Sequence, residues 1–134
     1  MHNAKGNEFF RQYKVSEAVQ SYTAAVNLCP EEAKYFGNRS QAKLRSEDFK
    51  GALKDASKAI ELDQSYTKAH YRKALANASL GYYATALGEF QRLYEVTQND
   101  EFKMAIKHRM KQCKILLGRK GKVIYCYNNF CFSE

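Results

Sequence analysis

Apolar residues recur along this chain at two periods, one nested inside the other. The shorter is helical. The segments VSEAVQSYTAAVNL (15–28), FKGALKDASKAIEL (49–62) and YATALGEFQRLYEV (83–96) place apolar side chains at i, i+3, i+4 and i+7, the spacing of one buried helix face. The longer period is a step of 34, visible directly in the numbering. It links Val15, Phe49 and Tyr83; Ala18, Ala52 and Ala86; Val19, Leu53 and Leu87; Val26, Ile60 and Tyr94; and Leu28, Leu62 and Val96. A repeat of this length denotes stacked supersecondary units, none able to bury its apolar face alone. The small Ala early in each segment lets a neighbouring helix approach closely. The intervening stretches KGNEFFRQY, YFGNRSQAKLR and AHYRKALANASLG are also predicted helical, with loops at Tyr13-Lys14, Ser46-Glu47-Asp48 and Gly81-Tyr82. The pattern predicts an all-α array of three helix-turn-helix units at about 1–32, 33–66 and 67–99.

Beyond the third unit, a further helix is predicted from about Asp100 to Leu117, with Phe102, Ile106, Met110, Cys113 and Leu117 on one stripe. An array must end on a helix whose outer face is polar, and Lys103, Lys107, Arg109, Lys111 and Lys114 supply that face. The tail GRKGKVIYCYNNFCFSE (118–134) breaks the repeat pattern; a hairpin, a segment docked on the array and a disordered terminus are all compatible with it.

Length and spacing resemble the tetratricopeptide repeat (TPR). Its run of Gly/Ala, aromatic, Ala, aromatic, Ala and Pro is matched by Gly6, Phe9, Ala18, Tyr22, Ala25 and Pro30. The later copies depart from it: Gln64 and Gln98 stand where Pro is expected, and Ala56 replaces the second aromatic. The resemblance covers residues 1–98 and implies a right-handed superhelix whose first helices line a concave groove. The tyrosines and phenylalanines, among them Tyr22, Tyr35, Phe36, Phe49, Tyr83 and Phe90, are read as packing between helices.

The 134 residues suffice for one domain with a continuous core. No apolar run reaches the roughly 18–20 residues needed to span a bilayer, and no signal peptide opens the chain, so a cytoplasmic or nuclear protein is expected. Net charge is +8, with 14 Lys/Arg against 12 Asp/Glu over residues 1–100 and 8 against 2 over residues 101–134. The basic end reads as a solvated cap; no nucleic-acid-reading motif accompanies it, and neither nucleic acid nor membrane is expected as a partner. Cys29, Cys113, Cys126 and Cys131 form no CxxC pair, and His2, His70 and His108 are scattered, so no metal site or cofactor is expected. Cys29 and Cys113 read as small core residues. Cys126 and Cys131 flank a possible turn at Tyr127-Asn128-Asn129-Phe130 and would pair only under oxidation. There is no GxSxG, P-loop, dinucleotide turn or HExxH, and the chain is read as a non-enzyme.

Function is therefore sought on the inner faces of the first helices. Asn38 and Arg72 stand one full period apart, Lys68 lies one helical turn before Arg72, and Asn7 stands on the preceding first helix. Two amides and two cations at one spot suit an anionic chain end, because Lys and Arg give charge-assisted bonds to carboxylates and Asn bonds both carboxylate and backbone. These positions resemble the two-carboxylate clamp of co-chaperone TPR domains, which grips the Glu-Glu-Val-Asp tail of heat-shock chaperones of the 70 and 90 families. Asn7 matches its first Asn, Asn38-Arg39-Ser40 its second, and Lys68 through Arg72 its Lys-x-x-x-Arg. The family's first Lys is replaced by Asn3, with Lys5 and Arg11 the nearest cations. Tyr71 and Leu75 are candidates for a small apolar pocket beside the clamp. Removing Lys68 or Arg72 is expected to abolish binding and leave helical content unchanged.

The stretch from Tyr35 to Gly81 is similar to the TPR domain that precedes the catalytic domain in type-5 serine/threonine phosphatases. That similarity, with a first helix short of a turn at Met1, suggests a piece of a longer protein. Two alternatives stay open: a scaffold that holds an internal segment of another partner, and a regulatory domain of a type-5-like phosphatase.

Overall fold

A computed structural model of the chain describes residues 1–128, with side chains as far as Arg119. Its elements are α1 (His2–Arg11), α2 (Val15–Leu28), α3 (Ala33–Arg45), α4 (Phe49–Leu62), α5 (Thr67–Ser79), α6 (Tyr83–Val96) and α7 (Asp100–Asn128). The described residues are all helix and connector. The second helices of the three units fall on the predicted boundaries, while α3 and α5 begin half a turn earlier than expected. Helix α7 does not stop at Leu117 but runs on to Asn128. The hairpin considered around Tyr127-Asn128-Asn129-Phe130 loses its first arm, because the backbone up to Asn128 is helix, while the Cys126–Cys131 pairing lies outside the described residues.

Each unit turns back on itself through the same cap. Tyr13, Glu47 and Gly81, each one repeat from the next, have φ of 62°, 65° and 90°. At the first turn Tyr13 N–H donates to Phe10 and Lys14 N–H to Phe9; the second repeats this from Glu47 to Leu44 and Asp48 to Lys43, the third from Gly81 to Ala78 and Tyr82 to Asn77. This is the Schellman arrangement, a left-handed residue satisfying the last helical carbonyls, and only the third copy uses the glycine that the conformation favours. At two boundaries a side chain starts the next helix: Asp48 accepts from Gly51 N–H at 3.0 Å, and Asn99 from Phe102 N–H at 2.8 Å.

Successive helices pack as neighbours, and α1 also meets α3 as α3 meets α5, so the first helices share one inner face. The core runs in three linked clusters. Ala18, Tyr22 and Ala42 hold α2 to α3; Val26, Phe36, Ala59 and Ala69 join α2 through α5; Ala74, Ala86, Phe90 and Leu93 of α5 and α6 close against Ile106 and Cys113 of α7. Phe90 and Ile106 are wholly buried, so α7 covers the apolar face that the third unit would otherwise expose. Two expectations fail. Cys29 is exposed in the α2–α3 connector and is no core residue. Leu28 and Val96, the last residues of α2 and α6, are 69% and 70% exposed, because the packed face ends before the helix does.

Polar contacts tie the two helices of a unit together at equivalent positions. In the second unit Asp55, 2% exposed, takes both Arg39 Nε and Nη2 at 2.8 Å, and Lys43 Nζ at 3.0 Å. At the equivalent position of the third, Glu89 takes Asn77 Nδ2 at 2.8 Å and Lys73 Nζ at 3.6 Å.

Candidate functional site

The inner face holds two adjoining hollows, and Lys68 and Arg72 of α5 line both. One, of about 320 Å³, is walled by Phe10, Leu44, Tyr71 and Leu75, with Gln41 and Arg45 at its edge. The other, of about 480 Å³, lies beside Asn38, Tyr66 and the starts of α3 and α5. Tyr71 and Leu75 thus form part of an apolar pocket next to the cations, with Tyr71 braced edge-on by Phe90 and Phe102 at centroid distances of 5.7 and 5.1 Å.

Arg72 is built into the wall rather than displayed on it. It is 8% exposed; Nη1 donates to the Gly37 carbonyl at 2.8 Å and the Tyr66 hydroxyl at 3.4 Å, and Nη2 to Gln41 Oε1 at 3.1 Å. All three acceptors are neutral, and no carboxylate among the described residues lies within salt-bridge distance. Burial holds its pKa below the usual arginine value, opposed in part by Tyr66. Such a charge departs from the rule that buried ions are paired. The close approach of Tyr66 depends on Gly37: a Cβ there would stand 2.5 Å from the Tyr66 hydroxyl. Lys68, one turn earlier, is exposed and makes no ion pair among the described residues.

The amides of α1 and α3 are held in place by neighbouring side chains. Asn38 Nδ2 donates to Asn3 Oδ1 at 2.9 Å, which leaves Asn3 its N–H groups and Asn38 its oxygen for a ligand. The Tyr22 hydroxyl donates to Asn7 Oδ1 at 2.6 Å and so leaves the Asn7 N–H groups available. Burial raises the Tyr22 pKa against a smaller opposite pull from the Arg72 charge, so the phenol stays protonated and donating. Asn3 and Asn38 are therefore bonded to each other, Asn38 lines one hollow with Lys68 and Arg72, which share both, and Asn7, held by Tyr22, lines neither. Of the nearest substitutes for the missing lysine, Arg11 is occupied by Glu8 at 2.6 Å and Lys5 stands exposed on α1.

Sequence reasoning misses Tyr22, Gln41, Tyr66 and Gly37 as supports of the site. It reads Tyr22 as packing alone, and the distance along the chain from Asn7 to Tyr22 carries no signal without the fold. Among the described residues no group of three or more His, Cys, Asp or Glu is placed to hold a metal ion, and no helix is long and apolar enough to cross a membrane.

No protein-family model matches the chain. Rat serine/threonine-protein phosphatase 5 is 36% identical over 117 residues, which is 87% of this chain and 23% of the phosphatase. The chain thus spans about a quarter of the length of the curated relatives it matches first. The second TPR of Spaghetti (RPAP3), bound to the HSP90 peptide SRMEEVD, is 31% identical with a TM-score of 0.69, over 72% of this chain and 89% of that one. The second TPR domain of human RPAP3, in complex with the HSP70 peptide SGPTIEEVD, is 28% identical with a TM-score of 0.76, over 84% and 92% of the two chains. With its repeat period, its paired helices and these relatives, the chain belongs to the tetratricopeptide-repeat family.

Proposed function

We propose that this TPR domain is a binding module, not an enzyme, and that its groove captures the C-terminal Glu-Glu-Val-Asp tail of heat-shock chaperones of the 70 and 90 families in the cytoplasm. The observation that carries this reading is Arg72, a nine-tenths buried guanidinium with no carboxylate partner among the described residues, one turn from the exposed Lys68. A peptide terminus ending in Asp brings two carboxylates to that deficit. Lys68 and Arg72 take them, the N–H groups of Asn7 and Asn3 add donors, and the Asn38 oxygen accepts from the ligand backbone. The penultimate apolar side chain enters the hollow of Phe10, Leu44, Tyr71 and Leu75. Related TPR domains bound to such peptides support the assignment.

Calorimetric titration with a peptide ending in Met-Glu-Glu-Val-Asp, beside its C-terminally amidated twin, tests it. Binding with a Kd on the order of micromolar, about 8 kcal/mol, is expected for the free acid and none for the amide. Lys68→Ala is the clean variant, expected to weaken binding at least tenfold with an unchanged circular dichroism spectrum. Arg72→Ala is not: it removes the bonds to Gly37, Gln41 and Tyr66, so a stability loss of about 1–3 kcal/mol accompanies the loss of binding. Equal affinity for acid and amide would refute terminal-carboxylate recognition and favour a scaffold that holds an internal segment.

A further inference from the structure

A second surface stands apart from the groove. Between the end of α6 and α7 lies a hollow of about 520 Å³, lined by Tyr94, Met104, His108 and Met110 together with Lys107, Lys111 and Lys114. It shares no residue with the two groove hollows. From Phe102 to Arg119, α7 carries no acidic residue. Lys103, Lys107, Lys111 and Lys114 follow one another at i+4, i+8 and i+11, a single stripe on one side of the helix. None of them is ion-paired among the described residues. Like charges at i, i+4 destabilise a helix, so the stripe is a burden to α7 rather than a support. Met104 is 65% exposed beside it, and Ile115, further along the same flank, is 46% exposed.

We propose that this hollow is a docking site for an acidic amphipathic helix of a partner protein. The apolar and the basic side chains of the lining select that occupant together. Two methionines offer an adaptable apolar bed for side chains of irregular shape, while the lysine stripe matches carboxylates spaced along one flank of a partner helix. Nucleic acid fits less well: the one aromatic in the lining, Tyr94, already has the Lys103 ammonium over its ring at 4.8 Å, which removes a stacking platform for a base. A lipid surface would meet the lysines and Met104 alike, and is one arm of the test.

The test uses the whole chain and a designed, acetylated and amidated amphipathic helix with Leu on one face and Glu flanking it. Its blocked ends keep it from competing for a carboxylate clamp, so this result is separate from that of the chaperone-tail titration. Binding is followed by fluorescence anisotropy and mapped by amide chemical shifts. Expected are shifts confined to the end of α6 and to α7, a Kd that rises several-fold as salt is increased, and at least a tenfold loss in Lys107→Glu/Lys111→Glu and in Met104→Asp. Those variants change exposed side chains and leave binding of the Met-Glu-Glu-Val-Asp peptide as before. No binding, binding that the variants leave intact, or shifts in the groove would overturn the proposal. So would tighter capture by phosphatidylserine vesicles or by single-stranded RNA, each run as a parallel arm.

Discussion

The Tyr22 phenol has two neighbours that decide its role: Asn7, to which it donates, and Arg72, whose charge acts on it through the base of the groove. Removing only the hydroxyl leaves the ring packed against Ala18 and Ala42 but frees the Asn7 amide to rotate. Tyr22→Phe is therefore expected to lower denaturant stability by about 0.5–1.5 kcal/mol, the usual net worth of one hydrogen bond. It should also weaken the carboxylate peptide several-fold, to be read by calorimetry on the folded variant; an unchanged Kd would show that the amide is oriented by something else. At the same scale, the two cysteines with described side chains diverge. Burial raises the Cys113 thiol pKa, against a smaller opposite pull from Arg109, and less thiolate means slower chemistry. Cys29 is exposed, so peptide mapping after native alkylation is expected to find Cys29 modified and Cys113 protected until the chain unfolds.

Among the elements, the three turns form a natural experiment, since one left-handed geometry is occupied by Tyr, Glu and Gly. A non-glycine residue there carries a penalty of roughly 1–2 kcal/mol, offset in part by the extra freedom that glycine has in the unfolded chain. Glu47→Gly is expected to raise stability by about 0.5–1 kcal/mol in urea titration, and Gly81→Ala to lower it by a similar amount. The bond between α3 and α4 works in the other direction. Asp55→Ala leaves Arg39 and Lys43 facing an apolar seam and is expected to cost about 3 kcal/mol, whereas loss of the exposed Lys58–Glu61 pair should change stability by less than about 0.5 kcal/mol.

These elements also mark what can be read in advance. The repeating apolar registers locate α2, α4 and α6 to the residue, because burial on one helix face is a local periodic signal. Leu28 and Val96 share that period without sharing burial, since a repeat keeps its register even where the neighbouring helix ends. Asn38, Lys68 and Arg72 are legible through the same register, and their types announce anion chemistry. What is not legible is Arg72's burial and its neutral partners, the Asn3–Asn38 bond and the Asp55 pairings. All are contacts between helices, set by packing rather than by spacing along the chain. The continuation of α7 past Leu117 is hidden by two glycines, Gly118 and Gly121, which disfavour a helix without forbidding one.

For the whole molecule, the array depends on its last helix. Phe90, Leu93 and Ala86 are buried through α7, and an array whose terminal unit is uncovered loses the interface that stabilises it. Deleting residues from Asp100 onward is expected to lower the urea m-value, since less surface is buried, and to produce concentration-dependent association in sedimentation velocity. A truncated chain that remains monomeric with an unchanged m-value would mean that α7 is an appendage rather than a cap.

Arg72 has a consequence for the protein without its ligand. A fixed positive charge that no carboxylate among the described residues answers makes the empty groove a selective host for whatever small anion the solution provides. Sulfate and phosphate ions should then raise the melting temperature of the free protein more than chloride at equal ionic strength, and act as competitors of the peptide. The affinity read in a phosphate buffer would understate the one read in its absence, and the extra thermal stabilisation by these ions should vanish with the charge at position 72.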